Sequence, residues 1–264
     1  INCYKILNKT ENILDIVFEA FKIDVPMAEI VCSLAEYFFE KNNFNQAAFW
    51  YKTALNCIPN KDNPSLSNIA YYSWIPSLQL CVCYYNLGKI NCAYFFNELT
   101  ANFVGESDKV IYNRNLLILE DEYIMLVDLV KKYYDKKYDL NCAECMLVAA
   151  NEEYDLNISK QTLMTMASFG GGMAIGSVCG AATGAISVLA LMFTNDRGHK
   201  SPHVKEMTSK FLNEFNMKMN SLDCISLKEN YYDLENRCSK MMMVSAELLQ
   251  EIINEYSSIY SINR

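Results

Sequence analysis

The stretch from Phe169 to Gly184, reading FGGGMAIGSVCGAATG, constrains this chain more than any other. It carries no charge, a single cysteine at Cys179, and glycines at Gly172, Gly176, Gly180 and Gly184, one every fourth residue. On an α-helix that spacing would form one smooth ridge. A glycine inside a helix costs about 1 kcal/mol relative to alanine, so four of them need a compensating gain. The physical candidate is close approach of another backbone, or of a flat ligand, along the ridge. Gly172, Gly176, Gly180 and Gly184 are therefore candidate cofactor-binding positions, with Cys179 held against whatever approaches.

No formal charge falls between Lys160 and Asp196. Such a run is long enough to span a bilayer, and small residues four apart also make the packing face of membrane helices. Three consecutive glycines, Gly170 to Gly172, favour a break there. No aromatic belt flanks the run, and only Lys160 and Arg197 are basic near its ends, so the orientation signals of a membrane span are weak. The favoured expectation is a buried Gly-rich hairpin at the centre of a soluble helical domain, with no membrane.

The rest of the chain narrows the function classes. Its 264 residues suffice for two ordinary domains, and the balance of 52% apolar to 20% charged residues belongs to a folding chain. A formal net charge of −8 argues against nucleic acid as a partner, because such binding rests on clustered Lys and Arg. The densest basic cluster, Lys131-Lys132 with Lys136-Lys137, is short and broken by Asp135; it reads as a solvated helix end. Eleven scattered cysteines, an odd count in a chain too large to need staples, point to reduced thiols and a cytoplasmic location. The chain starts at Ile1, so a natural start preceding it is expected, and residues 1–24 show no apolar core of the signal-peptide kind.

Helical periodicity runs through nearly every long segment, and period-two alternation is almost absent. The fold class expected is all-α. Ile13, Ile16, Val17 and Ala20 make one stripe, and Pro26 suits the first turn of a second helix. From Ala28 to Asn60 the order Ala35, Phe38, Ala47, Tyr51, Ala54, Pro59 fits the tetratricopeptide pattern of two close-packed helices. Small Ala35 and Ala47 permit the approach, Leu34, Phe38 and Tyr51 fill the gap, and Pro59 stops the second helix. A weaker copy begins near Trp74 with Leu80, Cys81, Tyr84, Ala93 and Asn97, and Gly88 suits the left-handed turn between its helices. Residues 60–72 form an insertion, and a helix over Ser107 to Leu119 caps the array.

This first half resembles the helical region behind the catalytic domain of some bacterial family-2 glycosyltransferases, over about residues 10–115. The carriers are PMAEIVCSLAEYFFEKNNFNQAAFWYKTALNC and SWIPSLQLCVCYYNLGKINCAYFFNE. No acidic metal motif on a strand and no α/β pattern accompany them, so glycosyl transfer is not carried over. The resemblance implies a bacterial source and a short tetratricopeptide-like array, residues 1–119, that docks a protein or peptide or mediates oligomerisation.

After Glu120 the repeat signal stops. Tyr123 to Tyr134 reads as an amphipathic helix, and Asn141 can cap a helix that opens with Cys142-Ala143-Glu144-Cys145. Thiols in a first turn are favoured as thiolates by exposed amides, against which Glu144 works. A thioredoxin-like reading needs a βαβ context, and none is present. His199 and His203 are four apart, but Pro202 lies between them and breaks the helix a metal pair would need; a solvated loop is the expectation. Met241-Met242-Met243 reads as gap-filling core.

NCAECML at 141–147, FGGGM at 169–173, CGAATG at 179–184, then Cys224 and Cys238, resemble the small family of proposed redox-active proteins named for its C_GCAxxG_C_C pattern. The resemblance covers about residues 121–260. Where the pattern writes Gly-Cys-Ala, this chain has Cys179-Gly180-Ala181. The family's four recurring cysteines fall here on Cys142, Cys179, Cys224 and Cys238, leaving Cys145 outside the set. The resemblance implies a redox domain over residues 120–264, a helical bundle with the Gly-rich hairpin at its centre. Three chemistries remain open for the four cysteines: reversible disulfides with Cys179 as the central thiol, a metal or iron–sulfur cluster with the same four as ligands, or buried core thiols. The rival to a redox protein is a non-catalytic interaction module whose second half is structural or dimerising, hence a homo-oligomer.

Overall fold

The computed structural model describes residues 13–23, 25–59, 67–119 and 126–257. Residues 1–12 and 24 of the stretch read for a signal peptide, and most of the insertion at 60–72, lie outside them, as does the expected helix start at Tyr123. The described residues hold thirteen α-helices and no strand beyond two isolated bridges, so the chain is all-α. They divide into two compact units, one drawn from residues 13–119 and one from 126–257.

The first unit contains α1 (Ile13–Ile23), α2 (Ala28–Glu40), α3 (Phe44–Leu55), α4 (Trp74–Asn86), α5 (Ile90–Val104) and α6 (Asp108–Leu119). Helices α2 and α3, and α4 and α5, are joined by short turns and pack as hairpins. Ala35, Ala47, Ala54 and Ala93 are fully buried, as small residues at a close helix contact should be. Gly88 takes φ +70° at the α4–α5 turn, the left-handed value that L residues with a Cβ resist. One detail differs from expectation. Pro26 precedes Met27, the N-cap of α2, and so lies outside the helix rather than in its first turn. Leu34 joins Ile13 and Val17 of α1 in a cluster against which Trp50 of α3 also packs, so it serves the α1 contact as well as the α2–α3 gap. Across α5 and α6, Arg114 makes a bidentate pair with buried Glu98 (2.8 Å for each bond) and two further bonds to Glu106. A fork of this kind supplies direction as well as charge.

The second unit comprises α7 (Leu126–Tyr133), α8 (Cys142–Tyr154), α9 (Lys160–Thr165), α10 (Gly180–Phe193), α11 (Pro202–Met219), α12 (Cys224–Tyr231) and α13 (Ser239–Ser257). Helix α10 is the central element, packed on α8, α11 and α13. It is apolar nearly all round, with Ala181, Ala182, Ala185, Val188, Leu189, Met192 and Phe193 all buried. That pattern belongs to a helix enclosed by others. Its partner α11 buries only one stripe, Met207, Phe211, Phe215 and Met219, at every fourth residue. Met241 and Met242 of α13 are likewise buried. No helix among the described residues is long and apolar enough to cross a membrane.

The Gly-rich run is not one helix. A break follows Phe169, and residues 172–176 make a single wide turn; Gly171 before it, and Gly172, Met173, Ala174 and Gly176 within it, all have positive φ. Helix α10 starts only at Gly180. The four-residue spacing therefore joins two different devices. At Gly172 and Gly176 glycine permits the left-handed backbone of the turn. At Gly180 and Gly184 it permits α10 to lie against α8. A Cβ on Gly184 would stand 2.9 Å from both Cα and O of Ala143, and one on Gly180 would stand 3.1 Å from Cys142 Cβ. The approaching body at these positions is backbone and side chain of the same unit.

This contact is testable. Valine at 184 must push α8 away from α10, and overpacking of this kind costs roughly 1–3 kcal/mol. Gly184→Val is expected to lose about 2 kcal/mol or more of unfolding free energy in a denaturant titration. Gly198→Ala, where an added Cβ meets nothing within 4 Å, is expected to change it by under about 0.5 kcal/mol.

Candidate functional site

Cys142, Cys179, Cys224 and Cys238 all line one cavity of about 160 Å³ in the second unit. Each stands at the start of a different helix. Cys142 is the first residue of α8, Cys179 the N-cap of α10, and Cys224 the first residue of α12. Cys238 directly precedes α13, and its carbonyl accepts the first helical bond from the Met242 N–H at 3.1 Å. Helix starts present unpaired amides and a partial positive charge. The arrangement therefore aims four positive helix ends at four sulfurs.

Local sequence explains each placement. Asn141 caps α8 by accepting from the Ala143 and Glu144 N–H groups, while the Glu144 carboxylate accepts from the Asn141 N–H, completing a capping box. The Asn141 side-chain amide also donates to the carbonyls of Met166 and Ala167. Asp223 caps α12 in the same way, accepting from Ile225 and Ser226. Between these starts runs a short antiparallel bridge, Val178 to Asp223. In it the Cys179 N–H donates to Leu222 O at 2.9 Å and the Cys224 N–H donates to Ser177 O at 2.7 Å. Cys179 and Cys224 are thus each held by the bridge, diagonal to one another across the Val178–Asp223 pair. A second bridge, Asp233 to Arg237, turns the chain into Cys238.

The thiols are not equivalent. Cys142 and Cys238 act on each other in opposite directions, the proton being favoured on Cys142 and the charge on Cys238. Cys142 lowers Cys238 to about 6, aided by the charge of Lys228, the Tyr134 hydroxyl and the charge of Arg237, against its burial. Cys238, with burial, holds Cys142 well above the ordinary thiol range. Cys179 is pushed up to about 11 by burial, despite hydrogen bonds from the Ala181 and Ala182 N–H groups. Burial also raises Cys224. The thiol whose surroundings most favour the thiolate is therefore Cys238, whereas the sequence pointed to Cys179 as the central one.

Three residues that sequence reasoning passed over complete the site. Tyr134 accepts from the Cys238 N–H at 3.0 Å. The Arg237 guanidinium lies 4.2 Å over the Tyr134 ring and donates to the Tyr134 carbonyl. Lys228 lines the cavity four residues after Cys224, one helical turn along α12. Arg237 adjoins Cys238 in the chain, and a lysine one turn from a cysteine is a readable signal; Tyr134 gave none.

The remaining candidates fall elsewhere. Of the four glycines only Gly180 lines the cavity. The positions a side chain would occupy at Gly172, Gly176 and Gly184 are filled by Cys224 and Ser177, by Ile225, and by Ala143 and Met146. Cys145 is fully buried, its thiol donating toward Val130 O at 3.6 Å, on the side of α8 away from the cavity. His203 lies in the first turn of α11 rather than in a loop, with its ring nitrogen on Phe193 O at 2.7 Å, while His199 is exposed before it. Among the described residues no group of three or more His, Cys, Asp or Glu is arranged to hold a metal ion. None of the ten described cysteines is in a disulfide.

Residues 140–252 match the model of a protein family described as "Putative redox-active protein (C_GCAxxG_C_C)". The matched segment contains all four cavity cysteines. Comparisons with curated proteins and with solved structures gave no match.

The pH dependence follows from the effect of Cys142 on Cys238. Alkylation of Cys238 by iodoacetamide, followed by peptide mass spectrometry, is expected to rise with pH through an inflection near 6, the value about which its thiol ionises. An ordinary thiol does so near pH 8.5. Cys142→Ala removes the largest cause of the depression, so the inflection is expected to move upward. An inflection that stays put would show that Cys142 does not hold the proton.

Proposed function

We propose that the second unit is a thiol–disulfide exchange centre in which Cys142 and Cys238 are the exchanging pair. The single observation that carries this reading is the convergence of Cys142 and Cys238, with two further cysteines, on one cavity. The family match to residues 140–252 supports the redox character of the unit.

The reaction balances with a disulfide as oxidant. The Cys238 thiolate attacks one sulfur of the incoming disulfide; a Cys238–substrate S–S bond forms and the substrate's own S–S bond breaks. The departing sulfur takes up a proton and leaves as a thiol. Cys142 then loses its proton and attacks the Cys238 sulfur, forming the internal disulfide and releasing the second thiol. Two electrons and two protons pass from the dithiol to the substrate, and the reverse sequence reduces the internal disulfide. Cys179 and Cys224, which line the same cavity, are two further thiols that can accept oxidation from the first pair by the same exchange. The Arg237 and Tyr134 contacts hold Cys238 in place and favour its thiolate.

For the first unit we propose a tetratricopeptide-like docking role toward a protein or peptide. Its two helical hairpins support this, as does a cleft beside α4 and α6 lined by Leu78, Val82 and the exposed Tyr112. Crosslinking in cell extract is expected to place partner crosslinks on residues 74–119; partner crosslinks confined to residues 126–257 would count against docking here. The absence of disulfides among the ten described cysteines supports a reducing compartment such as the cytoplasm. Thiol trapping in intact cells should find them reduced, and a fully oxidised set would reject that location.

Mild oxidation by diamide, which itself takes up the two electrons and two protons, tests the exchange. Peptide mapping is expected to find a Cys142–Cys238 disulfide. Cys142→Ser and Cys238→Ser should each abolish it, while Cys145→Ser should leave it intact. Four thiols that stay free under diamide would reject the redox reading in favour of structural cysteines.

A further inference from the structure

Resting on that reading of the site, we infer that the cavity is a receptor for a small anion, and that the substrate reaching Cys238 carries a carboxylate or oxyanion group. The lining is the first reason. Lys228 and Arg237 both face the cavity, and no carboxylate lines it. The helix starts are the second, and they divide into two kinds. At α8 and α12 the amides are answered by Asn141 with Glu144 and by Asp223. Neither α10 nor α13 has an acidic residue in its first turn, and the α10 amides of Ala181 and Ala182 are met by the Cys179 sulfur rather than by a carboxylate. These two helix ends keep their positive charge directed at the sulfurs.

The third reason is independent of charge. Three thiols at the wall of this cavity are more than nine-tenths buried: Cys179 at 4%, Cys224 at 6% and Cys238 at 8% exposure. Cys238 has Cys142 and Tyr134 as partners, and Cys179 has the Ala181 and Ala182 amides. The Cys224 thiol lines the cavity with no hydrogen-bond partner among the described residues. A buried S–H facing an open volume among cations is a donor awaiting an acceptor. A volume of about 160 Å³ admits a small carboxylate or a tetrahedral oxyanion, and excludes a folded protein surface. The entering group would rest against Lys228 and Arg237, with its electrophilic atom toward Cys238.

Iodoacetate and iodoacetamide are near-isosteric alkylating agents that differ in charge, so the ratio of their rates at Cys238 reads the cavity's preference without any redox step. At a pH where Cys238 is ionised, the iodoacetate-to-iodoacetamide ratio is expected to exceed that of free cysteine by about tenfold, in line with focusing by a charged cleft. It should fall as salt is added. Inorganic phosphate is expected to slow both reagents. Lys228→Gln and Arg237→Gln should each lower the ratio several-fold, with iodoacetamide as the internal normaliser and circular dichroism confirming helix content. Should a variant fail to fold, the salt and phosphate dependence of the unaltered protein decides the matter. A ratio equal to that of free cysteine, insensitive to salt and phosphate, would overturn the anion receptor while leaving the exchange reading intact. A raised ratio in a protein that forms no Cys142–Cys238 disulfide under diamide would reject the exchange reading and leave the receptor.

Discussion

The distance between α8 and α10 is fixed by the absence of two side chains. At Gly184 the α10 backbone rests on the Ala143 backbone, and at Gly180 it rests on the Phe169 carbonyl and the Cys142 side chain. Glycine in a helix is unfavourable by itself, so this close contact is where the unit recovers the cost. It also sets the site. Cys142 opens α8 and Cys179 immediately precedes α10, so drawing the two helices together draws the first two sulfurs to one place. The Val178–Asp223 bridge then adds Cys224, and the turn closed by Asp233 and Arg237 adds Cys238.

Helix ends do the electrostatic part. A buried thiol resists ionisation, and three of the four behave that way, held above the usual thiol range. Cys238 departs because its opposing terms outweigh burial: the neighbouring Cys142, a phenol and two nearby cations. The surroundings of one sulfur therefore decide which of four chemically identical groups reacts. A low thiol pKa in an enclosed, cation-lined space is the circumstance in which a cysteine acts as nucleophile.

Much of this fold could be read from the chain. The helical period, the Asn141 cap, the left-handed Gly88 and the break at Gly170–Gly172 are local properties, and the structure shows each of them. The continuous glycine ridge was misread because a spacing of four is equally produced by a left-handed turn followed by a helix start. Nothing in the residue types of Met173 and Ala174 announces positive φ. The grouping of the four cysteines was legible only through their order along the chain, matched to a family pattern. Which of them ionises was not legible, since Tyr134 lies 104 residues before Cys238, the residue whose N–H it accepts.

Tyr134 has one more implication. The stretch that matches the family model begins at residue 140, yet a wall of the cavity and the clasp on Arg237 come from Tyr134, just beyond α7. Helix α7 buries Leu126, Val127, Leu129 and Val130 against α8 and α13, and its first amide donates to Gln250. The smallest self-sufficient piece of this protein is thus wider than its recognisable motif, and a fragment cut at the motif's edge would lose the aromatic shutter that keeps its most acidic sulfur in register.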